Sequence, residues 1–284
     1  MRFYCVNDSV WHTTIALLRG SCEARGIEFI EVDARAFDYA KHRKLANGDL
    51  LYRPAGSMAA VRVEQFLFNP GVVSFYRSRE RIFFQPMTAP LLFQHANLPI
   101  PRTVSCSTAR RDTIRGLVEQ VGGLPIVVKV LGDSGGVGVM RVDSFAVLFS
   151  VLGFVLAQGH DPLLCAYIDQ ATHWRLIVLG DAIVAAYRNE PITDDFRTYA
   201  PTDPSAYTTT VRPDLARVAI RAVEVSQTEF GGVDVLEDPA GNLYVLEANF
   251  PCYFAHPQEV AHIDISGMMV EYLVEKTRRT GCRA

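Results

Sequence analysis

The sequence has no C-x-x-C pair, no glycine loop ending in Gly-Lys-Ser/Thr, no lysine between Lys44 and Lys129, and no internal repeat. Six cysteines (Cys5, Cys22, Cys106, Cys165, Cys252 and Cys282) stand far apart. Without paired spacing they read as reduced thiols, not as zinc ligands or a disulfide framework. No apolar run approaches the length of a membrane span, and MRFYCVNDSV lacks the apolar core of a signal peptide. A cytoplasmic protein without a membrane partner is expected. Net charge is −3, so there is no bulk electrostatic case for nucleic acid or an anionic surface.

What remains is ordinary globular composition: 284 residues, 49% hydrophobic and 21% charged, enough for one large or two to three small domains. Apolar strand candidates at 1–6, 27–32 and 49–52 alternate with a helix running to Gly26. That alternation predicts a small open α/β unit with parallel pairing over roughly the first 80 residues. No G-x-G-x-x-G follows its first strand, so the unit is assigned to support or substrate binding rather than to a dinucleotide. A new domain is expected near residue 85. It carries helices near 91–93, 108–121 and 144–158, the strand–loop–strand LPIVVKVLGDSGGVGVMRV, and the buried strand LLCAYID. HWRLIVLGDAIVAAYRN reads as a hairpin about Gly180-Asp181, followed by a loop, a helix over 213–230, a second hairpin and a closing helix over 266–279.

The second hairpin, GGVDVLEDPAGNLYVLEANFP, concentrates the chemistry. With Pro239-Ala240-Gly241-Asn242 as its loop, the register puts Asp234 opposite Glu247, and alternation brings Asn249 to the same face. Two carboxylates and an amide oxygen form a hard-cation site suited to magnesium held against phosphates. Without other partners the same residues read as a surface hairpin with scattered acids.

Gly132, Gly135, Gly136 and Gly138 make a loop whose backbone N–H groups can approach phosphate oxygens. Lys129 precedes it on the strand. The letters GDSGG also surround the nucleophile of trypsin-like serine proteases, but that reading needs an all-β double barrel and a histidine context that are both lacking. Arg175 and Arg188 stand on the two arms of the first hairpin and Arg197 follows, a set suited to stabilising charge in phosphoryl transfer.

In this order, IVVKVLGDSGGVGV, RLIVLGDAIVAAYR, DFR and GGVDVL…VLEAN resemble the ATP-grasp ligases. Within them the resemblance is to the ribosomal-protein glutamate ligase and lysine-biosynthesis carrier-protein ligase branch. It covers Leu91 to Leu273 well, and earlier residues only by architecture. The implied fold is α/β, with α+β character in the C-terminal part. An N-terminal unit (1–84) precedes a two-subdomain ATP-grasp fold, a small subdomain with the glycine loop (85–170) and a large one with the metal site (171–284). The implied activity is ATP-dependent carboxylate–amine ligation through an acylphosphate, releasing ADP. A nucleotide-binding module without turnover and a small-molecule kinase are the alternatives. The resemblance gives Lys129 and the loop Ser134, Gly135, Gly136, Val137 and Gly138 to the phosphates, and Cys165, Ala166 and Tyr167 to adenine. Asp234, Glu247 and Asn249 match three ligands of Mg2+, with Mn2+ as a substitute, and Arg188 and Arg197 match the stabilisers of the acylphosphate. The implied substrates are a small carboxylate and an amine, the latter an amino acid, a peptide or a protein tail; relatives form homodimers or homotetramers.

Three departures stand out. Gln85-Pro86 occupies the place of an expected lysine, leaving Arg77, Arg79 or Arg81 to replace it. His173-Trp174-Arg175 replaces Asp-Ile-Arg at the ribose, with Asp169 as a substitute carboxylate. Beyond Asn249, Phe250-Pro251-Cys252-Tyr253-Phe254 forms a bulkier wall and implies an unusual substrate or a drifted activity.

Overall fold

The computed structural model describes residues 1–8, 12–83, 89–130, 136–192 and 194–281. The chain begins with β1 (Arg2–Asn7), α1 (His12–Glu23), β2 (Glu28–Asp33), β3 (Leu50–Tyr52) and α2 (Met58–Leu67). The three strands form a parallel sheet in the order β2-β1-β3. Alternation along β1 sends Phe3 and Cys5 to one face, packed with Ile15, Leu18 and Cys22 of α1. It sends Val6 to the other, packed with Ala60, Val63 and Leu67 of α2. One helix per face is the doubly wound arrangement expected from the alternating pattern. The helix α2, begun by Ser57 accepting a hydrogen bond from the Ala60 N–H, was not foreseen in the sequence.

Next come α3 (Ala89–His95), β4 (Thr103–Ser105), α4 (Arg111–Val121), β5 (Ile126–Lys129), β6 (Val139–Val142), α5 (Phe145–Ala157) and β7 (Leu163–Ala166). The four strands form an antiparallel sheet in the order β4-β7-β5-β6. Ile126, Val128, Val142 and Leu164 face the helices and pack on Ile114 and Val118 of α4 and Leu148 and Leu152 of α5. The alternate residues, Val127, Lys129, Val139 and Cys165, therefore face the opposite side.

The remainder holds β8 (Thr172–Leu179), β9 (Ala182–Arg188), β10 (Glu190–Ile192), β11 (Asp195–Tyr199), β12 (Tyr207–Thr208), α6 (Pro213–Val225), β13 (Phe230–Glu237), β14 (Leu243–Asn249), α7 (Ala255–Ala261) and α8 (Ile265–Gly281). Its main sheet runs β12-β9-β8-β13-β14, and β10 pairs with β11 separately. The helix expected over 213–230 ends at Val225, because Gln227 takes a left-handed φ of 59° and Phe230 already opens β13. One face of the main sheet, with Leu176, Val178, Val233 and Val235, packs under α6. The other carries Ile177, Val184 and Phe230, which join Phe3, Ile15 and Leu18 and also Met269 and Leu273 of α8 in one core. Residues from both ends of the chain thus share a hydrophobic core. Where this face extends past that core its side chains turn polar.

Candidate active site

The polar end of that face comes from strand pairing. Arg175 on β8 lies opposite Asp234 on β13, and Asp234 lies opposite Glu247 on β14. The register at Asp234 and Glu247 is the expected one, reached by another route. Asp238 N–H donates to the Asn242 carbonyl and Glu237 pairs with Leu243, so the turn is one residue shorter than the four-residue loop expected. A bulge between Asp234 and Val235 then restores the offset. Asn249, opposite Gly232, donates its amide Nδ2 to Glu247 Oε1 at 2.7 Å. Glycine is needed at 232 for space: a Cβ there would lie 2.4 Å from Arg175 Nη2.

Asp234 is buried and tightly held. Arg175 Nη1 donates to its Oδ2 at 2.6 Å, and His173 Nε2 lies 3.3 Å from its Oδ1, outside hydrogen-bonding geometry. Burial pushes this carboxyl up, but Arg175 and then His173 outweigh it and bring its pKa to about 2. Glu247 goes the other way, raised by burial and by the charge of Asp234. Its side chain is open to water at the floor of a deep cleft while protein surrounds it.

That cleft, of about 1490 Å³, lies between the four-stranded and five-stranded sheets. Lys129 enters it from β5 and makes no ion pair among the described residues. On the same side Val127, Leu163 and Cys165 form a small apolar patch with Val139 and Tyr167. Such a patch beside an unpaired amine suits a purine ring and its phosphates. Gly136 and Val137 also border the cleft, and Arg197 Nη1 reaches the Gly136 carbonyl at 3.4 Å while Asp195 grips its guanidinium at 2.7 Å. His173 Nδ1, 2.5 Å from Thr198 Oγ1, ties the strand carrying Arg197 to the floor. Ala166 and Tyr167 line the cleft as well, whereas Gly138 does not, its carbonyl accepting from Val130 N–H. Ser134, Gly135, Gln85 and Pro86 lie outside the described residues.

Several expected residues point elsewhere. Arg188 pairs in register with Trp174 and lies over its ring at 4.6 Å, on the α6 face, so alternation removes it from the cleft. Its neighbour Tyr187, opposite Arg175, lines the cleft instead. Asp169 is exposed and does not border the cleft. Arg77 and Arg81 do not replace a phosphate-binding lysine: their Nε atoms donate to the Thr228 and Ser226 carbonyls, and Arg79 also lies away from the cleft. Arg141, which sequence reasoning passed over, does border it, with its guanidinium over the Tyr167 ring at 4.4 Å. Alternation outward from Lys129 would have found it.

Two carboxylates, one amide and an unpaired lysine fit Mg·ATP. The site is short of acidic donors for a metal bound by protein alone, since no cluster of three His, Cys, Asp or Glu side chains occurs among the described residues.

The whole architecture is that of an ATP-grasp protein. It superposes on the ATP-grasp ligase PsnB in complex with a minimal precursor with a TM-score of 0.72, at 16% identity, over 97% of this chain and 99% of the other. An ATP-grasp RimK domain protein from Sphaerobacter thermophilus gives 0.68 at 19% identity, over 96% and 99%. Residues 87–273 match the model of the RimK-like ATP-grasp domain, and the chain belongs to that family. A probable alpha-L-glutamate ligase of Stutzerimonas stutzeri is 30% identical over 164 residues, 57% of this chain and 54% of the relative. One from Ectopseudomonas mendocina is 30% identical over 172 residues, 60% and 56%. The chain thus spans about half the length of the curated relatives it matches.

Proposed function

We propose that the protein is an ATP-dependent carboxylate–amine ligase that forms an amide bond and releases ADP. One observation carries this reading: Lys129, Arg197, Asp234, Glu247 and Asn249, from four strands, border one cleft. A carboxylate is a poor electrophile because oxide is a bad leaving group. Transfer of the γ-phosphoryl group of ATP to it gives an acylphosphate, and an attacking amine then displaces phosphate. Magnesium, with manganese as a substitute, would be held by Asp234, Glu247 and Asn249 and would neutralise phosphate charge. Lys129 binds phosphate oxygens, and the apolar patch at Val127 and Cys165 takes the base. Arg197, fixed by Asp195, stabilises the acylphosphate and the oxyanion of amine attack. Arg188 has no part, because it faces α6.

The amine is an amino acid, a peptide or a protein tail, and the assembly a homodimer or homotetramer. Among the described residues five buried thiols stand without a disulfide partner, which suits a reducing cytoplasm.

The test is ADP release with a panel of amino acids and peptides. Glu247→Gln should lower substrate-dependent release by on the order of 100-fold or more while the fold survives. Release within a few-fold of wild type would remove Glu247 from the site. One observation favours a second reading, nucleotide binding without turnover: Asp234 Oδ2 is already bonded to Arg175, and its Oδ1 faces the His173 ring. Tight calorimetric binding of Mg·ATP without release on any substrate would favour it.

A further inference from the structure

A second cavity, of about 460 Å³, lies in the N-terminal unit and shares no residue with the cleft. Ile30, Glu31, Val32 and Asp33, successive residues of β2, all border it. Alternation sends neighbouring side chains of a strand to opposite faces, so a cavity bordered by all of them runs along the strand's edge. β2 is the edge strand of its sheet. Among the described residues its backbone makes no hydrogen bond except those to β1. Such an edge offers a row of open N–H and C=O groups to an extended chain.

The wall across from that edge is a basic run, in a chain whose net charge is −3. Residues 34–49 form no helix or strand and bring Lys41, His42, Arg43 and Lys44, all exposed, to the cavity. Lys41 pairs with Asp38 at 3.1 Å, but Arg43 and Lys44 meet no carboxylate among the described residues. The two acids that border the cavity are engaged: Glu31 binds Arg19 at 2.8 Å, and Asp33 accepts the Arg35 N–H. The run is also held in place. The Phe37 ring lies 4.3 Å from that of His42 and 5.6 Å from that of Phe66 on α2, and Leu45 N–H donates to the Leu67 carbonyl at 2.9 Å. Like charges fixed side by side repel, a cost that an anion in the cavity offsets.

We propose that the free edge of β2 binds an extended peptide segment in which acidic and apolar residues alternate. The main chain of the peptide pairs with the open N–H and C=O groups, adding a strand to the sheet. Ile30 and Val32 mark the face of β2 that packs with α2 and the 34–49 segment, so carboxylates on that face meet Arg43 and Lys44. On the other face the apolar side chains meet Phe29, which is half-buried and lies under the Arg19 guanidinium at 4.7 Å. In the ligase reading this segment belongs to a peptide substrate and is held apart from the cleft; the binding itself does not depend on that reading.

The test is fluorescence anisotropy of the full chain with a short fluorescein-labelled peptide alternating glutamate and valine, without nucleotide. Wild type should bind it, more weakly as salt rises, and the lysine–valine counterpart should not compete. Arg43→Glu with Lys44→Glu should weaken binding about 10-fold, roughly what turning two exposed ion pairs into repulsions removes. Arg43→Ala with Lys44→Ala should weaken it less, and guards against misfolding of the charge-reversed protein. A peptide methylated on alternate backbone nitrogens keeps its charge but loses donors to the edge, and should compete poorly. No binding by wild type, equal competition by the lysine peptide or by the methylated peptide, or unchanged affinity in the folded charge-reversed protein would each overturn the proposal. So would equal competition by single-stranded oligothymidylate, which would make the run a general polyanion surface. Calorimetry with Mg·ATP tests the ligase reading separately: nucleotide binding without any peptide signal would refute the edge site and leave that reading standing.

Discussion

Glu247 and Asp234 face each other across two strands, yet their carboxyls shift in opposite directions. Asp234, held at about 2 by Arg175 and His173 against burial, stabilises the fold above its usual value of 3.8 and loses that contribution as pH falls toward 2. Glu247, raised above 4.5 by burial and by Asp234, favours its protonated form in the fold. Its contribution is full below about 4.5 and lost as pH rises through its folded value, so at neutral pH its charge strains the metal-free protein. Glu247→Gln should therefore raise the metal-free Tm at pH 7. The gain over wild type should shrink as pH falls toward 4.5, and stabilisation by Mg·ATP should be lost. Thermal scans from pH 4 to 8 check this; a lower Tm at pH 7 would show that the carboxylate is not strained. Of these residues, Asp234, Glu247, Asn249 and Lys129 were legible because strand alternation and charge announce them. Arg188 was misread by one position along β9, where the alternation that selects Tyr187 excludes it. Arg141 follows from the alternation that carries Lys129, whereas the His173–Thr198 contact was illegible because its partners stand 25 residues apart.

Elements were easier to read than their boundaries. The parallel N-terminal strands, both hairpins and the closing helix follow from apolar periodicity. α2 and the β10–β11 pair were missed: the helix has no acidic first turn, and the short pair is interrupted by Pro191. The β13–β14 hairpin shows how a correct register can come from a wrong loop. Its turn closes through Gly241, at φ 85°, where an added Cβ would meet nothing within 4 Å. Gly241→Ala should therefore cost about 1 kcal/mol through backbone strain alone. The bulge lies between this turn and Asp234, so affinity for Mg·ATP should stay within about twofold, a difference of roughly 0.4 kcal/mol. Urea unfolding and calorimetry on one preparation would check both. A large loss of affinity would mean that the turn sets the ligand geometry.

At the scale of the molecule, α8 is fastened to the segment that follows α2. Lys276 Nζ donates to the Ser74 and Tyr76 carbonyls at 2.9 Å each and to Glu229 at 2.5 Å. Burial lowers the pKa of its amine, and Glu229 opposes that. These bonds lie beside the core shared by Phe3, Phe75, Phe230 and Leu273, so the N-terminal and C-terminal parts should unfold together. Lys276→Met keeps the aliphatic stem but strands one carboxylate and two carbonyls, and should cost about 3 kcal/mol. The loss should appear as one earlier transition, seen alike by the fluorescence of Trp174 on β8 and by hydrogen exchange in β1. If β1 alone lost protection, the N-terminal unit would be a separable module.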